Sequence, residues 1–507
     1  MTDFFNLGDL IGHATDEHGA NMDKTALIDL KDPEFPREYS FRDIDAAADA
    51  VARGLIKRGF QRGERIAILS ANRMEFMTAY FGTMKAGLVS VPVNFKFPED
   101  TIEFILRDAD IKFIFTDEPQ AAKVPTGYES VNFDDADAFA AFCDPGAFDA
   151  VRPSPNEVAM FLYTSGSTGR PKGVPLTHAG HLWVVEQRIA KRPAPDHRLI
   201  VAAPLYHMNA LAIFKVAMAA NLSVVLLPQF TAPAYIKAVE TYKVTWLTSV
   251  AAMMAMVARE KDLLAKTDLS SVRIIRMGSA PVSQQLVDDL RAILPNAEIT
   301  NGYGTTEAGP VVYGPHPDGV PQPDISIGYP LSPTSARLVD GDNLDADHGV
   351  LHCRNPSVTP GYHNLPDKTA EAMTDDGWYI TGDVMRRDGH GFHYFVGRTD
   401  DMFNCGGENI YPSDVEKMLE RHTGIEQACV VPAPDDIKGF KPIAFVVPRD
   451  GANLTEDLVK QFALENGPAY QHPRTVTLMN ALPLTGTNKV DRKRLMDSAL
   501  GAAQRDT

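Results

Sequence analysis

The chain has 507 residues, of which 44% are hydrophobic and 23% charged, with a formal net charge of −17. That length exceeds a single core and predicts about three or four folding units. The negative charge excludes non-specific nucleic-acid binding and demands local cations wherever an anion is held. The four cysteines (Cys143, Cys353, Cys405 and Cys429) form no C-x-x-C pair. A zinc or disulfide framework is therefore excluded, and a reducing cytoplasm is expected. The N-terminus lacks the basic region of a signal peptide. Residues 199–228, the most apolar stretch, are interrupted by Pro204, His207, Asn209, Lys215 and Asn221, so no membrane span is expected.

Residues 40–59 have apolar positions at helical spacing, with Ser40 as N-cap and Gly59 as stop. Residues 65–70 read as a short buried strand after Gly63, residues 76–86 as a helix stopped by Gly87, and residues 89–93 as another strand. Such alternation predicts parallel βαβ layering, hence an α/β fold.

Apolar residues 158–162 and 174–176 flank Tyr163-Thr-Ser-Gly-Ser-Thr-Gly-Arg-Pro-Lys-Gly173, which reads as strand, loop, strand. A loop of small residues can aim its N–H groups at one point and make a nest for an anion. Thr164, Ser165, Ser167 and Thr168 add hydroxyls, Gly166 and Gly169 leave the backbone clear, and Arg170 and Lys172 add positive charge. A polyphosphate fits such a loop. The loop is not a Walker A motif, which needs a helix starting at its lysine; here Lys172 stands between Pro171 and Gly173.

Strands are then predicted at residues 222–227, 244–248 and 272–277, and helices at 232–242, 251–260 and 283–294. From Asp324 the texture changes to short strands with Gly and Pro turns, and Asp388-Gly-His-Gly391 marks a hairpin. Past Arg398 a new unit begins, with helices at 412–422 and 456–466, strands at 427–431 and 443–448, and a basic tail. The division expected is residues 1–397, a hinge at 398–400, and residues 401–507.

Four more motifs carry chemistry. Asn301-Gly-Tyr-Gly-Thr-Thr-Glu-Ala-Gly-Pro310 follows a short strand. Its glycines Gly302 and Gly304 admit a flat ring, Tyr303 can stack on it, and Glu307 offers oxygen to a hard cation such as Mg²⁺. Tyr379-Ile-Thr-Gly-Asp383 ends a strand in a carboxylate suited to a ribose diol. Gly397-Arg-Thr-Asp-Asp401 follows another strand, and Pro483-Leu-Thr-Gly-Thr-Asn-Lys-Val-Asp491 presents Lys489 on a loop.

Together, and in this order, these motifs resemble the adenylate-forming superfamily of acyl-CoA synthetases, luciferases and peptide-synthetase adenylation domains. The resemblance runs from about residue 40 to residue 495. It implies a large N-terminal domain of two βαβ-layered subdomains plus a small β-barrel, and a small mobile α+β C-terminal domain. It implies that Thr164 to Lys172 hold the β- and γ-phosphates of ATP. Asn301 and Thr305 belong to the same nucleotide motif, in which Tyr303 and the loop Gly278, Ser279, Ala280, Pro281 frame the adenine. Thr306 would approach the α-phosphate, Glu307 would bind Mg²⁺, and Asp383 and Arg398 would hold the ribose. Asp400 matches the hinge position, Lys489 the adenylation lysine, and Gly406 and Gly407 the loop beside the acceptor channel.

The implied reaction sets a carboxylate against the α-phosphorus of ATP, anion upon anion, so cations must offset the charge. A thiol then attacks the acyl-adenylate after rotation about the hinge. By motif position His207 is a catalytic and pocket-wall residue, and Asn209, Ile213, Val250, Gly302, Gly304, Pro310 and Val311 complete the acid pocket. That lining lacks an aspartate for an α-ammonium and suits a flat aryl or phenylpropenoic acid, with a short or medium alkyl acid as the alternative. Coenzyme A is the expected acceptor, its phosphates met by Lys438, Lys441 or Arg474. A carrier protein or luciferase-like oxidation are the other outlets. The expected partners are thus a small carboxylic acid, ATP and CoA, with monomer and homodimer both open.

Overall fold

The computed structural model describes residues 4–11, 21–164, 170–190, 194, 196–332, 335–405, 408–435, 438–485 and 489–503. Two large sheets carry the N-terminal part. The first orders its strands Glu298–Gly302, Ile274–Gly278, Trp246–Ser249, Arg198–Val201, Ser223–Leu226, Thr25–Asp29 and Arg37–Ser40, all parallel except the last. The second runs Ser130–Asn132, Ile111–Thr116, Arg65–Leu69, Val89–Pro92, Val158–Thr164 and Lys172–Thr177, with the last again antiparallel.

Side-chain alternation explains why these strands read as apolar runs. Ile66 and Ile68 face a core shared between the two sheets, while Ala67 and Leu69 face a second core on the other side. Leu199, Val201, Val224 and Leu226 of the first sheet enter the same shared core, with Phe76, Tyr80, Phe81 and Phe214 from helices. The helix Phe41–Lys57 starts on a Ser40–Asp43 capping box, and the chain leaves it through Gly59 at φ +85.

The expected small barrel takes the form of a four-stranded antiparallel sheet, Ala336–Val339, His348–Cys353, Tyr379–Arg387 and His393–Arg398. The ribbon of Tyr313–Gly314 and Tyr329–Pro330 joins it through a Gly328–His393 bridge. The expected hairpin closes where the Asp388 carboxylate accepts from the N–H groups of His390 and Phe392.

A smaller C-terminal domain follows, with strands in the order Glu408–Ile410, Phe403–Cys405, Gly439–Pro448 and Ile425–Asp435, and Thr475–Leu478 added beside Gly439–Pro448. The two long strands exceed their predicted spans because they form one hairpin that continues past Pro432, Pro434 and Pro442. The basic tail ends in a helix, Arg492–Ala503.

Buried cations in this fold are mostly matched by acids. Lys85 meets Asp45 and Asp49 at 2.6 Å each and Asp9 at 3.4 Å, and Arg73 meets Glu75 at 2.7 Å and Asp134 at 2.9 Å. Lys85 closes the helix Met74–Lys85, which crosses Phe41–Lys57 at Gly82. A Cβ at Gly82 would lie 2.5 Å from the Ala48 carbonyl oxygen and 2.8 Å from Val51 Cβ. Gly82→Val should therefore destabilise the N-terminal domain by about 1–3 kcal/mol through overpacking. Thermal melting would show this as a lowered Tm, and an unchanged Tm would contradict the close helix crossing.

Candidate active site

The strands of the first sheet end at a common cavity of about 1490 Å³. Strand order reverses beside Arg198–Val201, since Ser223–Leu226 lies on one side and Trp246–Ser249 on the other. Open α/β sheets place ligands at such a reversal, beyond the carboxyl ends of the strands. The residues after each strand line the cavity: Pro204, His207 and Asn209; Val250; Ser279, Ala280 and Pro281; and Tyr303 through Glu307.

Most residues expected from sequence meet there. Thr164, Lys172, Ile213, Gly278, Asn301, Gly302, Gly304, Pro310, Asp383, Arg398, Asp400 and Lys489 also line the cavity. Ser165, Gly166, Ser167, Thr168, Gly169, Gly406 and Gly407 lie outside the described residues. Thr164, at the edge of the phosphate loop, has a buried hydroxyl with no partner among the described residues. Lys172 places its Nζ 4.3 Å from the centre of the Tyr362 ring.

Some expectations change. Val311 is buried and does not line the cavity, although Pro310 beside it does. The Thr305 hydroxyl accepts from the Ala308 N–H at 2.8 Å, so it braces the turn that presents Glu307. The Asn209 amide donates to the Ser279 hydroxyl at 3.0 Å, which commits that donor to the wall. Ser279 adopts φ +64, a left-handed conformation rare for a side-chain-bearing residue and a frequent mark of functional turns.

The charged groups are held in a compact array. The Tyr303 hydroxyl donates to Asp383 Oδ2 at 2.5 Å, and Arg398 Nη1 donates to Asp383 Oδ1 at 2.7 Å. Burial raises the Asp383 carboxyl, and the Arg398 charge and the Tyr303 bond oppose that rise. The Tyr362 hydroxyl donates to Glu307 Oε1 at 3.0 Å, and Oε2 has no hydrogen bond to any described residue. One carboxylate oxygen so placed fits Mg²⁺, which uses one or two protein carboxylates together with substrate phosphates and water.

Lys489 comes from the C-terminal domain, on a turn where the Thr485 N–H donates to the Lys489 carbonyl at 2.7 Å. Its exposed surface opens on the cavity. Burial lowers its pKa first; Asp383 and Glu307 pull it back up, and Arg398 pushes it down. His207 is pushed down to about 3 by burial and then by the charges of Lys489 and Lys96. It is therefore neutral near pH 7, and its Nε2 has no partner among the described residues. The C-terminal domain is held against the N-terminal one by Arg259 on Glu426 and by Arg449 on Asp289 at 3.0 Å.

Three groups in the site escaped the sequence reading. Tyr362 is one, and no local signal marks it. Arg188 and Arg276 are the others. Arg276 lies inside the predicted strand at 272–277, and its separation from Gly278 by two positions places both on one face of that strand, a signal that was there to be read.

The AMP-binding enzyme profile matches residues 15–363, and the AMP-binding enzyme C-terminal domain profile matches residues 414–489. The chain belongs to the AMP-binding enzyme family. Among curated relatives, it is 32% identical to a feruloyl-CoA synthase of Amycolatopsis over 89% of this chain and 92% of that protein. It is 30% identical to a 4-coumarate–CoA ligase of Vanilla planifolia over 92% of this chain and 89% of that protein. Among solved structures, the anthranilate CoA ligase AuaEII in complex with anthranoyl-AMP superposes with a TM-score of 0.88 at 23% identity, covering 99% of this chain and 98% of that one, a likeness of fold.

The array predicts a pH profile. If Lys489 serves as the adenylation lysine it must be charged, and its pKa in the free enzyme lies below the ordinary 10.5. The kcat/KM for adenylate formation should therefore fall as pH rises through that lowered value, and transfer from a supplied adenylate should not follow the same limb. His207, titrating at about 3, should add no acid limb near neutrality. Pyrophosphate release measured across neutral to alkaline pH checks this; a limb at or above the ordinary lysine value would refute it.

Proposed function

We propose that this protein is an ATP-dependent, AMP-forming carboxylic acid:CoA ligase acting on an aryl or phenylpropenoic acid. The observation that carries the reading is the placement of Lys489, delivered from the C-terminal domain into the cavity that also holds Glu307, Asp383 and His207. Relatives named for coumarate and ferulate support the choice of acid. The apolar lining supports it too, since Ile213 and Val250 line the cavity together with Gly302 and Gly304, which have no side chain.

In this reading Thr164 and Lys172 steady the outer phosphates of ATP, Glu307 shares its Mg²⁺, and Asp383 with Arg398 takes the ribose. Neutral His207 closes the acid pocket; a substrate that is already a carboxylate needs no base. A carboxylate oxygen attacks the α-phosphorus, the bond to the β-phosphate oxygen breaks, and pyrophosphate leaves. Lys489 offsets the negative charge shared by attacking carboxylate and phosphoryl oxygens, a task of positioning and electrostatics. Coenzyme A thiolate then attacks the acyl carbon, and AMP departs with the electron pair of the broken C–O bond.

The second step needs Lys489 withdrawn. The hinge proposed at 398–400 would rotate residues 401–507 and break the Arg259–Glu426 and Arg449–Asp289 pairs. Both pairs are partly exposed, and pairs of that kind hold by about 1 kcal/mol or less each, so these two pairs do not by themselves lock the domains together. No helix among the described residues is long and apolar enough to cross a membrane. A cytoplasmic location completes the proposal, supported by the free cysteines at 143, 353, 405 and 429.

Aryl and phenylpropenoic acids with MgATP should release pyrophosphate, and addition of CoA should yield a thioester; release with neither acid class would refute the reading only if alkyl acids were turned over instead. Lys489→Ala should lower adenylate formation by at least about a hundredfold, the scale of a lost transition-state charge contact, and largely spare thioester formation from supplied adenylate. Equal loss of both half-reactions would remove the lysine from its role. Asp400→Pro should slow the thioester step more than adenylation, and an unaltered ratio of the two rates would place the hinge elsewhere.

A further inference from the structure

Three arginines line this cavity with no ion pair to an acid among the described residues: Arg386, which stacks on the Tyr394 ring at 3.9 Å, and Arg188 and Arg276, which do not stack on a ring. Arg276 projects from Ile274–Gly278, and its Nη2 lies 2.8 Å from where a Cβ of Gly302 would be. No described residue forms an ion pair or side-chain hydrogen bond with its guanidinium. Arg188, on the helix His178–Ile189, donates from Nη2 to the Pro310 carbonyl oxygen at 2.8 Å and likewise has no carboxylate partner among the described residues. Both line the cavity, as do Gly302 and Pro310.

The rest of the fold makes this pair exceptional. Lys85 and Arg73 are buried against carboxylates. Lys215 is buried without a partner, but it does not face the cavity, and burial lowers its amine to about 7, so it can shed its proton. A guanidinium has no such exit near neutrality. Burial lowers Arg276 to about 10, and burial with the Arg276 charge lowers Arg188, so the two also repel each other. Both guanidiniums keep part of their surface toward the cavity and are otherwise enclosed by protein, and two like charges so placed carry a penalty that an anion in the cavity would relieve. In a chain with a net charge of −17 there is no shortage of carboxylates to recruit for a merely structural pair.

We infer that Arg188 and Arg276 receive a second carboxylate, carried at the far end of the acid that the ligase activates. The inference rests on the reading of this cavity as the acid pocket. Arg276 over Gly302 and Arg188 on Pro310 stand at the wall, whereas the reacting carboxylate belongs beside Thr306, His207 and Lys489. The substrate class is thus an aromatic or arylpropenoic dicarboxylic acid. The absence of a side chain at Gly302 serves this arrangement directly, because a Cβ there would collide with the guanidinium. The two guanidiniums can each form paired N–H···O bonds to a carboxylate, the geometry that makes arginine the residue for buried anion recognition.

The test uses the full-length protein and matched acids: cinnamic acid against its ortho-, meta- and para-carboxy derivatives, and benzoic acid against the three benzenedicarboxylic acids. Two readouts are taken, pyrophosphate release with MgATP in the absence of CoA, and binding by calorimetry in the presence of AMP. At least one dicarboxylic acid should exceed its monocarboxylic match by about tenfold or more in kcat/KM and in affinity, the scale of a charge-assisted hydrogen bond gained. In Arg276→Met and in Arg188→Gln that ratio should collapse about tenfold, and Arg276→Lys should retain part of it. Since both acids of a pair see the same enzyme preparation, partial misfolding leaves the ratio unchanged. Equal or better use of every monocarboxylic match, or an unaltered ratio in both variants, would overturn the inference. Selective binding of the dicarboxylic acid without pyrophosphate release would uphold the anion receptor and sink the ligase reading. Release driven equally by monocarboxylic acids would do the reverse.

Discussion

In the proposed reaction Lys489 enters the cleft and stays charged there, and the architecture of the site fits that requirement. A carboxylate approaching a phosphate faces repulsion that water would screen but a closed cavity does not. A cation delivered at that moment removes the obstacle, and Asp383 and Glu307 are the acids that keep the lysine protonated against the effect of burial. His207 is held neutral beside it, so it adds no competing positive charge. The lysine belongs to one domain and its acids to the other. The ion pairs Arg259–Glu426 and Arg449–Asp289 therefore bear on the chemistry, because they help set whether the lysine is present.

The cavity floor answers a different constraint. Parallel strands end together, so the loops after Arg198–Val201, Trp246–Ser249, Ile274–Gly278 and Glu298–Gly302 converge without long excursions. Each loop contributes short residues or glycine where a flat ligand has to approach the backbone. At Gly304 a Cβ would lie 2.5 Å from the Pro310 Cα, so that turn closes only with glycine. At Gly302 the vacant volume is taken by a guanidinium. The same small-residue wall that suits an aromatic ring thus also lets Arg276 reach the pocket.

Much of this was legible in the chain. Glu307 and Lys489 sit on turns, and Asp383 and Arg398 face each other on adjacent strands, and the motifs that carry them are short runs rich in Gly, Thr and Pro that can be read locally. The strands announced themselves because both faces of each parallel sheet are buried, and the helix starting at Phe41 because Ser40 and Asp43 cap it. Strand ends were less legible. The hairpin of Ile425–Asp435 with Gly439–Pro448 continues through prolines that a local reading takes as stops. The hydrogen bonds that tie Thr305 to Ala308 and Asn209 to Ser279 were not legible, because no spacing rule reveals them.

By itself the sequence determined the layered α/β scaffold and marked the motifs that meet at the cavity, since each depends on residues close together along the chain. Only the tertiary structure decided which charges are paired. Arg188 meets Pro310 and Arg276 meets Gly302 across separations of many residues, and whether a buried cation has an acid beside it depends on what the fold brings near it in space. The balance of desolvation against pairing is a property of the folded interior and has no counterpart in the linear order of residues.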